Sequence, residues 1–223
     1  MNLNKNTLST QIYQILREDI LSQSIHLGEK LTLKNLQARF QVSSTPIRDA
    51  LTRLNEEGLV EYYSNIGVNV ISLTEQDLQE LYQFMGDLDA LSIRYASRHP
   101  DQEGLRKRLE ENIALTAVVE EKDTLTGQET SGWIKASDHF HLMFYDYADN
   151  SRLTEAADRL RGQLTIFSNA YEREDRPQRE IFREHKKIWE AYRQKDYSAA
   201  ASLMKEHLNR SLLYAKELSQ KML

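Results

Sequence analysis

His141, His185 and His207 are the side chains of this 223-residue sequence best suited to hold a metal inside a fold. His141 shares a helical face with Phe140, Phe144, Tyr145 and Ala148, His185 with Ile181, Phe182, Ile188, Trp189 and Tyr192, and His207 with Ala200, Leu203, Met204 and Ser211. Three separate stretches thus each turn one imidazole toward an apolar interior. A single histidine so placed is most often a hydrogen-bonded core residue. Three in one small domain point further, because buried imidazoles without partners are costly and one shared divalent metal would satisfy them all. The chain has no cysteine, which excludes disulfides and thiolate ligands. A transition-metal site must therefore use histidine and carboxylate, a set that suits zinc or nickel and accepts iron or manganese. His139, two residues before His141, points to another side of its helix.

A second group could do different chemistry. The segment "QVSSTP" (Gln41 to Pro46) opens a helix running to about Glu57 and stopping at Gly58; proline is tolerated there because first-turn N–H groups have no intrahelical partner. Ile47, Ala50, Leu51 and Leu54 form its apolar face, while Ser44, Thr45, Arg48, Thr52 and Arg53 lie on other sides. An exposed Arg48 can grip guanine O6 and N7 or clamp phosphate, and hydroxyls at a helix start favour phosphate. The competing reading is that Arg48 and Arg53 are ordinary solvated charges.

The surrounding elements favour the first reading. Ile12, Ile15, Leu16 and Ile20 mark a helix over Leu8 to Gln23, and Thr32 caps a short second helix whose inward residues are Leu33, Leu36 and Phe40. After the third helix come two β-like runs, "LVEYYS" and "VNVISL", around "NIG" with a turn glycine at Gly67. Three short helices and a hairpin form a winged helix-turn-helix, whose third helix enters the DNA major groove. From Thr74 the pattern is helical to the end, over 101–122, 129–148, 151–171, 177–194 and 197–221 after a first helix with Leu78, Leu81, Tyr82, Met85, Leu88, Asp89 and Ser92 on one face. The expected fold is mainly α: a winged helix-turn-helix over 1–73 and an all-α antiparallel bundle of about six helices over 74–223.

Composition agrees. Only 8 Gly and 3 Pro, with 40% hydrophobic residues, describe a folded helical protein. No apolar run is long enough to span a bilayer and Met1 to Thr10 is too polar for a signal-peptide core, so the expectation is a cytoplasmic protein with no membrane partner. The net charge of −5 belongs to the second half, since 1–73 hold seven basic and seven acidic residues. Phosphate attraction must come from a local basic face.

"LGEKLTLKNLQARFQVSSTPIRDALTRLNEEGLV" resembles the GntR family of bacterial regulators, through a G-x-x-L turn, a V-S-x-T-P-x-R-x-A-L segment and an E-G-L-V exit, over roughly residues 8 to 72. The resemblance implies DNA contact by Lys34, by Ser43, Thr45 and Arg48, and by the wing around Gly67. Ser44 stands where the family usually has Arg, and Ile66 where it usually has Arg before the wing glycine. Losing two cations weakens non-specific affinity and changes which bases are read.

Residues 75 to 221 are similar to the helical FCD effector domain of the FadR branch, through "HFHLMFYDYADN" and "REHKKIWEAYRQKDYSAAASLMKEHL". In metal-containing members the ligands stand at the positions of His141, His185 and His207, with an Asp one turn before the first. Here that position is Ser137, and Asp138 either substitutes or faces solvent. The arginine that often holds a carboxylate effector is Met85, followed four residues on by Asp89 rather than Glu. A thioether cannot clamp an anion as a guanidinium does, so a small organic acid becomes a weaker expectation. Asp89 is a metal-side carboxylate, a hydrogen-bonding group for a neutral or cationic ligand, or a buried acid paired with Arg94 or Arg161.

The implied protein is a DNA-binding transcription regulator, a repressor by expectation and not an enzyme, acting as a homodimer on a palindromic operator under control of a small-molecule effector. Two rivals remain. Three histidines and a carboxylate around zinc can activate water as a hydrolase does, although no H-E-x-x-H pairing supplies a base. A bundle that only dimerises would need no effector.

Overall fold

The computed structural model describes residues 8–63 and 67–222, so Ile66 and the rest of the wing tip lie outside the described residues. The chain divides into two compact units, Met1–Thr74 with Asp158–Ile166, and Glu75–Ala157 with Phe167–Leu223.

In the first unit, α1 (Leu8–Leu21) packs on α3 (Ser44–Glu56), with the shorter α2 (Leu33–Phe40) against α3. Ile12, Leu16 and Ile20 of α1 and Ile47, Ala50, Leu51 and Leu54 of α3 are buried. Burying each large aliphatic side chain contributes about 1.5–3 kcal/mol, so these residues are the main favourable term holding α1 on α3. Ile15, expected inside with them, is 43% exposed: it lies on the edge of the α1 stripe, one position from Leu16 and a full 100° around the helix. The expected Thr32 cap is present, its hydroxyl accepting from the Asn35 N–H at 3.3 Å. Gly58, at φ +76°, ends α3 in the left-handed region and lets the chain turn back, with the Leu59 N–H donating to Leu54 O.

The hairpin strands β2 (Val60–Tyr63) and β3 (Gly67–Val70) pair antiparallel, Tyr62 opposite Val68. A third strand, β1 (Lys30–Leu31), adds to the other edge of β3 to give the order β1-β3-β2. Sequence periodicity did not announce it, because two residues are too few to show alternation.

The second unit contains α4 (Glu75–Ala96), α5 (Gln102–Thr116), the single-turn α6 (Val118–Glu121), α7 (Gly127–Asp146), α9 (Asp175–Arg193), α10 (Tyr197–Met222) and parts of α8 (Ser151–Tyr171). The expected helix over 101–122 is thus broken at Ala117. A capping box fixes the start of α7: the Thr126 hydroxyl accepts from the Glu129 N–H, and Glu129 accepts from the Thr126 N–H at 2.9 Å. The α10 helix packs along both α4 and α9. No helix among the described residues is long and apolar enough to cross a membrane.

Candidate functional sites

On the first unit, the residues expected to meet DNA are placed as follows. Lys34, Ser43, Thr45 and Arg48 are exposed, Ser44 is half-buried, and Gly67 is exposed at φ +112°. Ser43 is the N-cap of α3, and its hydroxyl makes no capping bond. Arg48 and Gly67 line one cleft of about 310 Å³, floored by Leu51 and Val68. Two residues that sequence reasoning missed line it too. Lys30 is carried there by β1, and the exposed Tyr62 by β2. The short β1 gave no periodic signal, although a lysine just before the second helix supplies the local cation that a neutral domain needs. Arg53 has turned away from this face: its guanidinium lies 3.9 Å from the Tyr13 ring centroid and donates to Thr10 at 3.3 Å.

In the second unit α7, α9 and α10 bring His141, His185 and His207 together, with one nitrogen of each within 4.8 Å of the others. All three are buried. The His185 and His207 Nε2 atoms are 3.3 Å apart. Two nitrogens bound to one tetrahedral zinc stand about 3.4 Å apart, so this pair already has the spacing of a chelate.

Two of the three rings are held from behind by carboxylates. His141 Nδ1 meets Asp89 Oδ2 at 2.7 Å, and Asp89 Oδ1 accepts from the Tyr145 hydroxyl at 2.7 Å. His207 Nδ1 meets Glu184 Oε2 at 2.7 Å, while Arg210 donates to Glu184 Oε1 at 2.7 Å. A carboxylate on Nδ1 fixes the tautomer and leaves the Nε2 lone pair facing inward, the usual arrangement behind metal-bound histidines. His185 stacks on Phe140, ring centroids 4.2 Å apart. Burial first, then the neighbouring His207 and His141, hold His185 well below the ordinary imidazole range. A neutral imidazole is the form that binds metal. The residues present therefore fit a divalent transition metal.

The other expected positions divide. Asp89 lies against His141 rather than with Arg94, which is exposed. Met85 is fully buried on the same helix, one turn earlier. Asp138 is half-buried, interacts with other groups, and is not a member of the three-histidine group. His139 is exposed. Glu184, which the sequence reading passed over, adjoins His185 but serves His207; only the packing of α9 on α10 reveals it.

Because His185 is held neutral while an unfolded imidazole titrates near 6.5, the unfolded state binds more protons below that value. The metal-free protein is expected to lose stability as pH falls below about 6.5, by up to roughly 1.4 kcal/mol per pH unit from this group. Urea titrations at pH 7.5 and 5.5 on wild type and His185→Gln check it: the variant should show a smaller loss between the two.

Residues 8–70 match the gntR family of bacterial regulatory proteins, and residues 80–210 match the FCD domain. The chain belongs to the GntR family, with an FCD domain. This GntR protein is 27% identical to the HTH-type transcriptional regulator YdhC of Bacillus subtilis over 209 residues, 92% of this chain and 90% of that protein. It is 27% identical to the HTH-type transcriptional repressor RspR of Escherichia coli, over 90% of this chain and 86% of that protein. A probable D-xylose utilization operon repressor of Paenarthrobacter nicotinovorans is 26% identical, over 92% and 88%. Among solved structures, E. coli McbR/YncC shares the fold at a TM-score of 0.71 and 19% identity, covering 96% of this chain and 99% of that one. A GntR regulator from Rhodococcus sp. RHA1 does so at 0.70 and 21%, covering 94% and 97%. The FCD and winged-helix assignments make this GntR protein a DNA-binding transcription regulator.

Proposed function

We propose that this regulator is a cytoplasmic, homodimeric repressor whose 1–73 domain binds a palindromic operator and whose 74–223 domain senses a small molecule beside a divalent metal, zinc or nickel, held by His141, His185 and His207. The observation that carries the sensing half is the convergence of three buried imidazoles, two of them braced from behind by carboxylates. Such bracing orients a ligand set rather than merely satisfying a core. A bound metal supplies a Lewis-acidic point that a donor atom of an effector can meet. Met85 and Asp89 line the effector side in this reading. Repression is inferred from relatives described as repressors, and no catalytic role is proposed for the site.

In the DNA-binding half, Ser43, Ser44 and Thr45 face phosphate at the start of α3, Arg48 reads a base edge, Gly67 brings the wing backbone close to the duplex, and Lys34 holds a phosphate. Lys34→Ala should weaken binding about equally for operator and unrelated DNA and reduce the slope of log K against log salt by about 1. Fluorescence anisotropy over a salt series measures both. A slope that did not change would remove Lys34 from the phosphate contacts.

One recognition helix reads only a few base pairs, and a two-fold dimer doubles the site. Sedimentation velocity at micromolar concentration should give the mass of two chains, with or without DNA. A monomer under both conditions would end the palindrome reading. The sensing half is tested by metal analysis and native mass spectrometry of protein purified without chelator, which report metal and co-purified small molecule together.

A further inference from the structure

The second unit holds a polar cluster that the metal reading does not use. It lies one helical turn from the histidines, because Ser137 precedes His141 by four residues and Ser211 follows His207 by four. Between them stand Tyr171 and Glu172 at the end of α8 and Tyr82 of α4. Glu172 is 7% exposed and Tyr82 fully buried. The main chain of Glu172 is pinned from both sides, its N–H donating to Ser168 O and its carbonyl accepting from Gln178 Nε2 at 2.8 Å.

Two atoms of this cluster lack a well-formed hydrogen bond. Glu172 Oε2 and Tyr82 Oη are buried and meet no partner in hydrogen-bond geometry. The Tyr171 hydroxyl lies against Tyr82 Oη in a loose contact that falls short of hydrogen-bond geometry, and is itself engaged with Ser211. Burial drives the Glu172 carboxyl well above the usual carboxylate range, Ser137 opposes this, and the charge of Asp138 adds to it. Buried polar groups are almost always satisfied, so a pair of orphans in one place marks a missing partner. A cationic partner would relieve a buried acid beside a second acid, which otherwise holds its proton. Among the described residues of this unit, no lysine or arginine is buried to do so.

We propose that Glu172 and Tyr82 form an ammonium-binding subsite, so that the effector carries a protonated amine. An ammonium group has three N–H donors. It gives one to Glu172 Oε2, one to the lone pair of Tyr82 Oη, and has a third for a neighbouring hydroxyl. This deepens, and rests on, the reading of the unit as an effector domain. It leaves the far end of the ligand open, including a carboxylate or hydroxyl directed at the metal.

The test uses the full-length protein and four probes of similar length: butylamine, 4-aminobutyrate, butyrate and butanol. Thermal unfolding is followed with and without added zinc, in wild type, Glu172→Gln and Tyr82→Phe. At about a hundredfold excess over Kd, the two amines should raise the wild-type Tm by roughly 5–10 °C. That rise should vanish in Glu172→Gln and shrink in Tyr82→Phe, whose preserved ring guards against a simple folding defect. Circular dichroism confirms that each variant folds. The proposal is overturned if neither amine shifts the wild type, if butyrate or butanol shifts it as much, or if Glu172→Gln keeps the response. Mobility shifts on an operator selected from random DNA are run in parallel. An amine response that depends on Glu172 but leaves operator affinity unchanged supports the subsite and sinks the effector reading. Operator release by butyrate alone does the reverse, and a missing zinc response counts against the metal alone.

Discussion

Replacing His185 by alanine should erase the thermal stabilisation that zinc or nickel gives the wild-type protein. Only the folded chain gathers three imidazoles from α7, α9 and α10 into one place, so metal binding adds directly to folding stability. At a free metal concentration of a hundred to a thousand times Kd the gain is about 2.7–4.1 kcal/mol. For a chain of this size each kcal/mol moves Tm by about 2–4 °C, so chelator-stripped wild type should rise by roughly 5–16 °C on metal addition. His185 is the right residue to remove. It is the most deeply buried of the three, and its Nε2 already sits 3.3 Å from that of His207. Without it two ligands on α7 and α10 remain and the chelate is lost. Differential scanning calorimetry on stripped protein, with each metal added in turn, gives the answer. Equal responses in wild type and variant, or none in either, would return the three histidines to the core.

Replacing Arg48 by alanine should cost about 1–3 kcal/mol of operator affinity, or a factor of roughly 5 to 150, and relax the preference at one base pair of each half-site. The arginine is exposed on α3 and lines a cleft with Gly67, Lys30 and Tyr62. Among the described residues no ion pair holds it back, whereas Arg53, five residues on, is engaged with Tyr13 and Thr10. The discriminating measurement is a mobility-shift titration against the operator and against single-base variants of it. An unchanged operator affinity would place the base-reading element elsewhere. A loss that is equal for operator and unrelated DNA would make Arg48 a phosphate contact instead.

Much of this architecture is written in the order and type of the residues. Helix positions follow from the spacing of apolar residues, and the α2 start follows from Thr32 because a hydroxyl there relieves an N–H that the helix cannot satisfy. The order of three helices and a hairpin, with Pro46 in the first turn of the third, was enough to suggest a DNA-binding unit. The histidines were legible for the same reason: each sits on a stripe whose other members are apolar, and a stripe is a local property of 3.6-residue periodicity.

What the sequence left open is everything that depends on which helices meet. That His141 turns its Nδ1 to Asp89, 52 positions away, and His207 its Nδ1 to Glu184, 23 away, depends on the packing of α4 on α7 and of α9 on α10. No periodicity encodes such pairs. Ile15 shows the same limit from the other side, since its place at the stripe's edge is compatible with burial until neighbouring helices are positioned and leave it open. β1 forms because β3 offers a free edge of N–H and C=O groups, not because Lys30 and Leu31 prefer to be extended. Glu172 is the sharpest case. On the sequence it is a charged residue just past a helix end, where a solvated acid is the natural expectation; tertiary packing alone seals its carboxyl beside Ser137 and Tyr82, and with burial comes the need for a partner.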